Sequence, residues 1–192
     1  MLKRIVYGVS GAVIIGLGLF SFYAWNPSID PITPPVKSDY SPQVIEQGKV
    51  LAAAGYCSTC HTPAGGTPYA GNYEMHTEFG TIYSSNITPD VETGIGSWSE
   101  EAFNRAMRSG VSRDGHHLLP AFPFEHFNKM TDQDIRAIYA YIMTSVPAVN
   151  QVKKENGIPF PLNIRWLQAG WKLLFADSDA FKVNENKSEQ WN

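Results

Sequence analysis

The sequence predicts an all-α fold, in which a few short helices follow one long apolar helix at the N-terminus. Three observations support this prediction. An uncharged, largely apolar run of 21 residues occupies positions 5–25. Three later stretches begin with residues that typically cap helices. The loops between these stretches are long, and none of them needs a strand to explain its pattern.

The composition is that of a globular protein, with 43% hydrophobic and 17% charged residues. A length of 192 residues indicates one domain with appendages. The formal net charge of −3 gives no basis for nucleic acid as a partner. Four parts of the chain are predicted: a membrane segment (1–26), a tether (27–40), a helical domain (41–150) and a C-terminal extension with an amphipathic aromatic segment (151–192).

The N-terminal segment is predicted to be a membrane anchor. About 20 apolar residues cross a bilayer core as a helix, and Lys3 and Arg4 precede the run. The positive-inside rule therefore keeps the N-terminus in the cytoplasm and sends the remainder across the membrane. A cleaved signal peptide is the alternative, but the bulky Phe22 is poorly suited to the cleavage site before Trp25. Five prolines between residues 26 and 42 predict an extended tether after the anchor.

The first two helices of the domain are predicted from their ends. Ser41 is an N-cap followed by a proline, and the helical pattern runs from there through Gly48 into Cys57. Ser99 caps the second helix, which has two glutamates in its first turn, and Gly110 ends it.

The third helix is predicted from Thr131 to Ser145, with Thr131 and Asp134 resembling a capping box. Met130, directly before this cap, is placed to pack on the helix as a hydrophobic staple. The apolar face of the helix repeats at helical spacing and consists of Ile135, Ile138, Tyr139 and Ile142.

Residues 57–61 read CSTCH, which is the attachment signature of c-type haem. Two thiols one helical turn apart reach the two vinyl groups of one porphyrin, and the following imidazole is a good iron ligand. Cys57, Cys60 and His61 are therefore predicted to bind one covalent haem c. A backbone carbonyl at Thr62 or Pro63 is expected to accept the other ring N–H of His61.

Two other uses of a Cys-x-x-Cys pair fit this sequence less well. A thioredoxin-like site needs a βαβ context, and no strand pattern surrounds Cys57 and Cys60. A structural zinc site needs four ligands, and the chain has only these two cysteines. Loops as long as those predicted here are also unusual in a compact domain unless they pack on something, and a haem supplies that core.

The segments CSTCHTP, FGTIYSSNITPDVETGIGSWSEEAFNRAMRSGVSRDG and HHLLPAFPFEHF, followed by DIRAIYAYIMTSVPAV, resemble a class I cytochrome c domain. The resemblance runs from about Ser41 to the C-terminus. It is greatest to the first haem domain of the membrane-bound, multi-haem cytochrome c subunits of bacterial alcohol, aldehyde and related dehydrogenases. It implies a cytochrome c-like fold in which Gly48 meets Tyr139 where the first and last helices cross.

In that family further haem domains commonly follow a segment like SEQWN, which here ends the chain. The chain is therefore expected to be a one-haem protein, a truncated chain or one part of a split gene product. The resemblance also implies a place on the periplasmic side of the bacterial inner membrane.

The sixth iron ligand is expected from the run LLPAFPFEHFNKM, residues 118–130. The family commonly has Pro-Ala-Met-Pro-Tyr here, with methionine on the iron, whereas this sequence has Phe122 in the methionine's place. His126 is our first candidate, since it lies between phenylalanines where an unpaired imidazole would be costly to bury. The alternatives are Met130, His117, Met75 and an open site. Asn86, Arg105 and Arg108 are candidates for contacts with the haem propionates. Asn86 is equally explained as a turn residue, and the two arginines are equally explained as part of a solvated helix face.

The expected function is single-electron transfer from a dehydrogenase subunit to quinone, another cytochrome or a terminal oxidase. No nucleophile–base pair or carboxylate pair indicates independent catalysis. An open iron site would instead favour a haem protein that binds small ligands or acts as a peroxidase. A third interpretation is an assembly subunit whose haem is incidental.

The segment 166–175 is aromatic and apolar. It is interpreted in three ways: as an amphipathic helix on the membrane interface, as a docking surface for another subunit or haem domain, or as a segment that packs back on its own domain.

Overall fold

The computed structural model describes residues 2–177 and 185–188, so that part of the predicted C-terminal extension lies outside it. Helix dominates the described chain, which confirms the predicted all-α class. In chain order the elements are α1 (Leu2–Ala24), α2 (Pro42–Ala54), α3 (Cys57–Cys60), β1 (Glu74–Thr77), β2 (Gly80–Tyr83), α4 (Glu100–Ser109), α5 (Phe124–Phe127), α6 (Asp132–Ser145) and α7 (Gln168–Phe175), with 3-10 turns at Lys37–Asp39 and Arg165–Leu167.

The three predicted N-caps are confirmed. The side-chain oxygens of Ser41, Ser99 and Thr131 each accept a hydrogen bond from the backbone N–H three residues later, at 3.4, 3.1 and 3.1 Å. Gly110 ends α4 in the left-handed conformation, with φ of 58°. The ends of α2, α4 and α6 are therefore fixed by local chemistry that the sequence displays.

The prediction that the first helix runs into Cys57 is wrong. Helix α2 ends at Ala54, and Tyr56 has a left-handed backbone with φ of 57°. This single residue turns the chain, because a left-handed residue cannot continue a right-handed helix. The separate turn α3 begins directly afterwards at Cys57.

A small antiparallel hairpin is present where no strand was expected. Strand β1 pairs with β2 from Glu74 opposite Tyr83 to Thr77 opposite Gly80, and Thr81 also bridges to Gly157. Both strands are four residues long and lack a face that is consistently buried. Without that alternation, the period of two that identifies a strand in a sequence is missing.

The core of the domain lies where α6 packs against α2 and α4. The predicted apolar face of α6 is confirmed, since Ile135, Ile138, Tyr139 and Ile142 are each no more than 1% exposed. The Tyr139 ring packs on Phe103 of α4 at 5.6 Å, and its hydroxyl donates to the Trp98 carbonyl at 2.7 Å. This core holds the three helices that frame the candidate site.

Gly48 lies at the crossing of α2 and α6, but its neighbours differ from those expected. A Cβ added at Gly48 would overlap the carbonyl of Ala137 and approach the Cβ of Tyr141 to 2.9 Å. The expected contact with Tyr139 is wrong, because that side chain faces α4 instead. Glycine is thus required at position 48, because the α6 backbone at Ala137 leaves no space for a side chain there.

The proline-rich stretch between α1 and α2 is extended and follows the surface of the helical domain. The Ile29 N–H donates to the Arg113 carbonyl at 2.9 Å, and the Ile32 N–H donates to the Ser97 carbonyl at 3.0 Å. Arg105 donates to the Pro27 carbonyl at 2.7 Å. These bonds fix the direction in which the chain leaves α1.

Helix α1 is long and apolar enough between Lys3 and Ala24 to cross a membrane, judged by length and composition. Near its C-terminal end, Phe20 packs edge-on against Trp166 with ring centroids 4.4 Å apart. The predicted aromatic segment therefore contacts the long N-terminal helix through the turn that precedes α7.

Replacing Gly48 with alanine is expected to destabilise the protein by about 3 kcal/mol, because the new methyl group forces apart two packed helices. A denaturant titration of the haem-loaded protein in mild detergent measures this change. Gly170→Ala is the matched control, since that helical glycine has only an ordinary contact, 3.5 Å from Phe20. The control should change the free energy of unfolding by about 1 kcal/mol or less. Equal stability of the two variants would contradict the crossing described above.

Candidate haem site

The turn α3 places the two cysteine side chains one helical turn apart. Cys57 is half-buried, Cys60 is exposed, and both are free thiols. Burial raises the pKa of the Cys57 thiol to about 11. A thiol with so high a pKa is not an activated thiolate, which argues against a thioredoxin-like redox pair.

His61 follows this turn, and one of its ring nitrogens is fixed by a hydrogen bond. Nδ1 lies 2.6 Å from the carbonyl oxygen of Ser85. Because a carbonyl only accepts, Nδ1 carries the proton and Nε2 keeps its lone pair. Burial also lowers the pKa of His61, which favours the neutral imidazole that binds iron.

The expected acceptor of the His61 N–H was the carbonyl of Thr62 or Pro63, and this expectation is wrong. The acceptor comes from Ser85, which follows the hairpin and is distant in sequence. The chain returns to His61 because the loops on either side of the hairpin are bonded to each other. Gly71 N–H donates to the His61 carbonyl at 2.8 Å, and Ile87 N–H donates to the Tyr69 carbonyl at 2.9 Å.

Gly71 permits the close approach that brings Ser85 to His61. Its φ is +79°, and an added Cβ would lie 2.5 Å from the backbone nitrogen of Asn86 and 2.6 Å from the Ser85 oxygen. Neither Gly71 nor Ser85 was predicted from the sequence. No local signal distinguishes this glycine from the others in the loop, and a backbone acceptor has no side-chain signature.

Asn86 has an internal structural role. It is 2% exposed, its amide donates to the Val149 carbonyl at 2.7 Å, and its carbonyl oxygen accepts the Thr88 N–H at 2.9 Å. The interpretation of Asn86 as a turn residue fits these bonds better than a contact with a haem propionate.

The two arginines on α4 bind backbone carbonyls of loops. Arg105 donates to the carbonyls of Pro27, Ser112 and Arg113. Arg108 donates to the carbonyls of Asn128 and Met130 at 2.9 and 3.0 Å, and it pairs with Asp132. Arg108 thereby fixes the end of the segment from which the sixth ligand was expected.

That segment contains the short helix α5, which begins directly after Pro123. Phe124 is buried against Gly110, where an added Cβ would come within 2.7 Å of the ring. Phe127 lies on the other side, with its ring edge 3.1 Å from the position of a Cβ on Gly55. Phe122 stacks on Phe127 at 5.4 Å. The segment therefore reaches the residues that directly precede the cysteine motif.

His126 is exposed, and the expectation that its phenylalanine neighbours bury it is wrong. Side chains two positions apart in an α-helix point in directions about 200° apart around the helix axis. His126 therefore lies on the face of α5 opposite the buried Phe124. Within the described part of the chain, no hydrogen bond engages its ring. The imidazole is accordingly not held in a structural role.

Met130 is half-buried and packs against the core cluster that contains Ile135, in agreement with a hydrophobic staple. Met75 lies in β1 opposite Ile82. Both thioethers thus have structural surroundings of their own.

His117 is buried with both ring nitrogens engaged. Nδ1 accepts from the Lys172 ammonium at 3.0 Å, and Nε2 donates to the Ala24 carbonyl at 2.9 Å. Burial lowers the pKa of His117, which agrees with a neutral ring in this arrangement. The histidine joins the end of α1 to α7 and has no nitrogen left for iron.

The residues present fit a covalently bound haem. Two thiols lie one turn apart, His61 has a fixed ring with an unshared Nε2, and aromatic side chains reach the same region from α5. Within residues 2–177 and 185–188, no group of three or more His, Cys, Asp or Glu side chains could hold a metal ion.

Comparison with known proteins agrees with this site. The cytochrome c family model matches residues 45–145. The chain is 48% identical to one of the subunits of nicotinate dehydrogenase from Pseudomonas putida over 185 residues, which are 96% of this chain and 15% of that protein.

Two further relatives are named as cytochrome c subunits. The chain is 46% identical to the gluconate 2-dehydrogenase cytochrome c subunit of Pantoea cypripedii over 72% of its length. It is 40% identical over 79% of its length to the cytochrome c subunit of alcohol dehydrogenase (quinone) from Gluconobacter oxydans. It covers 32% of each of these two proteins, so it spans a third or less of the three relatives.

Replacing Gly71 with alanine is expected to displace the Ser85 carbonyl and weaken its hydrogen bond to His61. A less basic imidazole stabilises the ferric iron less, so the reduction potential should rise. A tenfold change in the one-electron equilibrium corresponds to about 59 mV. Redox titration of the haem-loaded protein measures the shift.

Gly65→Ala is the matched control for this prediction. Gly65 has the same left-handed backbone, with φ of +70°, but no atom lies within 4 Å of an added Cβ. Its substitution strains the same loop without moving Ser85. Equal potentials in the two variants would show that the Ser85 contact does not tune the iron.

Proposed function

Because this chain belongs to the cytochrome c family, we propose that it is a membrane-anchored c-type cytochrome that transfers single electrons from a dehydrogenase to the respiratory chain. The observation that supports this proposal best is the arrangement of Cys57, Cys60 and His61. The two thiols are spaced for one porphyrin, and the imidazole is oriented by a bond that leaves Nε2 for the iron. Family membership implies covalent haem c, and the two cysteines of the sequence correspond to one haem.

When bound, the haem iron accepts and releases one electron. The protein residues hold and tune the group. Cys57 and Cys60 would form the thioether bonds, and His61 would ligate through Nε2. The Ser85 carbonyl fixes the tautomer of His61 and increases its basicity, which favours the ferric state. Phe122 and Phe127 provide an apolar surface next to the motif, and a dry surrounding also shifts the reduction potential.

The proposed electron donor is a dehydrogenase subunit. The relatives support this choice, because their names describe them as subunits of nicotinate, gluconate and alcohol dehydrogenases. The proposed acceptor is quinone, another cytochrome or a terminal oxidase. The proposed location is the periplasmic side of the bacterial inner membrane, supported by the charges of Lys3 and Arg4 before α1.

His126 is the proposed sixth ligand, and Met130 is the alternative. His126 is exposed on a helix whose neighbouring Phe127 reaches Gly55, two residues before Cys57. Its ring has no hydrogen-bond partner among the described residues, whereas His117 uses both nitrogens elsewhere. Met130 is already packed against the helical core. Bis-histidine ligation predicts a lower reduction potential than histidine–methionine ligation.

Replacing Cys57 and Cys60 with serine is expected to abolish covalent haem attachment. A hydroxyl does not form the thioether, so haem should be lost when the protein is denatured. Haem staining of denatured gels measures this directly. Thr59→Ala is the control in the same turn, since Thr59 is exposed and should leave the staining unchanged. Staining that survives the double substitution would contradict the assigned site.

His126→Ala is expected to convert the ferric protein from a low-spin to a high-spin spectrum, because the iron loses its sixth ligand. Met130→Leu and His116→Ala serve as controls, and both should leave the spectrum low-spin. His116 is a suitable control since it is exposed in the preceding loop. A far-red sulfur-to-iron charge-transfer band in the unsubstituted protein would contradict His126 as ligand and favour Met130.

A further inference from the structure

Helix α7 has one face packed on the protein and one face open. On the packed side Ala169 is fully buried, and Trp166 in the preceding turn contacts Phe20 of α1. On the open side three consecutive apolar residues are exposed: Leu173 by 62%, Leu174 by 72% and Phe175 by 69%. A continuous exposed apolar patch of this kind marks a binding surface.

The contacts of Phe20 with Trp166 and with Gly170 fix how deep the beginning of α7 lies relative to α1. A helix rises about 1.5 Å per residue, so Phe20 is roughly 6 Å below Ala24 along the axis. About 20 residues span the hydrocarbon core, and counting from Arg4 this length ends near Ala24. Phe20 therefore lies just inside the boundary between acyl chains and headgroups. Interfacial helices bury their apolar face about 5–10 Å into this same zone.

Lys172 fixes the rotation of α7, so that the open face cannot turn inward. Its ammonium donates to the carbonyls of Ser109 and Gly110 at 2.6 and 2.7 Å and to His117 Nδ1 at 3.0 Å. It thereby binds the C-terminal end of α4, where a cation is favoured by the helix dipole. Burial lowers the pKa of Lys172 to about 8, because desolvation disfavours the charged ammonium.

We propose that α7 lies at the lipid–water boundary beside α1, with Leu173, Leu174 and Phe175 inserted among the acyl chains of the bilayer. This proposal rests on the membrane anchoring proposed above. Lipid is favoured as the partner because the patch is continuous with the surface of α1. Phe22 is 81% exposed and Trp25 is 67% exposed, both near the end of that helix. Tryptophan is enriched where helices leave a membrane.

Insertion of α7 would fix the helical domain against the membrane in one orientation. The proline-rich stretch is already bonded to Ser97, Arg105 and Arg113 on the domain surface. Helix α7 adds a second attachment, and it also contacts α5. Lys172 lies 5.0 Å above the Phe124 ring, and the Asp177 N–H donates to Glu125 at 2.6 Å. The segment from which the sixth ligand is expected is thereby held at a constant height above the bilayer.

The test measures membrane depth with single nitroxide labels on the haem-loaded full chain in phosphatidylcholine–phosphatidylglycerol nanodiscs. Cys57 and Cys60 carry the haem, so an introduced cysteine is the one reactive thiol. Leu174→Cys reports on α7. Val152→Cys is the exposed control on the domain, at 71%, and Ile14→Cys is the control within α1, at 68%. Relaxation is compared between oxygen, which concentrates in lipid, and a water-soluble nickel chelate.

The expected result is oxygen-dominated relaxation at positions 14 and 174 and nickel-dominated relaxation at position 152. Nickel-dominated relaxation at 174 with a lipid-exposed position 14 would overturn the α7 proposal and leave the anchor intact. Shielding of 174 from both reagents would also overturn it, in favour of a protein partner on α7. Nickel-dominated relaxation at position 14 would overturn the anchor itself, and with it the premise of this proposal.

Discussion

The hydrogen bond between His61 and the Ser85 carbonyl is the constraint on which the proposed site depends. A Cys-x-x-Cys-His motif on a one-turn helix presents an imidazole but does not by itself orient the ring. The orientation comes from a loop that returns to His61 after the β1–β2 hairpin. The hairpin therefore has a clear role in an otherwise helical domain, because it closes the chain between residues 71 and 85. Gly71 is the position at which this closure leaves no space for a side chain.

The rest of the domain supports the motif from two directions. Helix α2 delivers the chain to the motif, and its crossing with α6 at Gly48 is close enough to involve backbone atoms. Helix α4 packs on α6 through Phe103 and Tyr139. Arg108 of α4 also binds the carbonyls of Asn128 and Met130, and so it fixes the loop that precedes α6. Buried apolar contacts thus hold α2, α4 and α6 together, and hydrogen bonds to backbone carbonyl groups fix the loops that pack against these helices. Such bonds suit a site that must keep one geometry in two oxidation states.

Much of this structure is predictable from the sequence, and the remainder is not for identifiable reasons. Helix ends are local, so Ser41, Ser99 and Thr131 reveal them. The cysteine motif is likewise a local pattern with a specific chemistry. The break at Tyr56 was missed because a left-handed tyrosine has no sequence signal. His126 was expected to be buried because its neighbours are phenylalanines. In the helix α5, however, neighbouring side chains point in different directions, so Phe124 is buried while His126 is exposed. The partners of His117 and Lys172 come from distant parts of the chain.

The proposed one-electron carrier requires a closed, six-coordinate haem. The most direct test is a spectroelectrochemical titration of the purified full chain, with carbon monoxide added to the reduced form at the end. We predict a single reversible one-electron transition, and no spectral change on addition of carbon monoxide to the folded protein. An irreversible transition, or carbon monoxide binding without unfolding, would contradict the claim and favour a haem protein with an open ligand site.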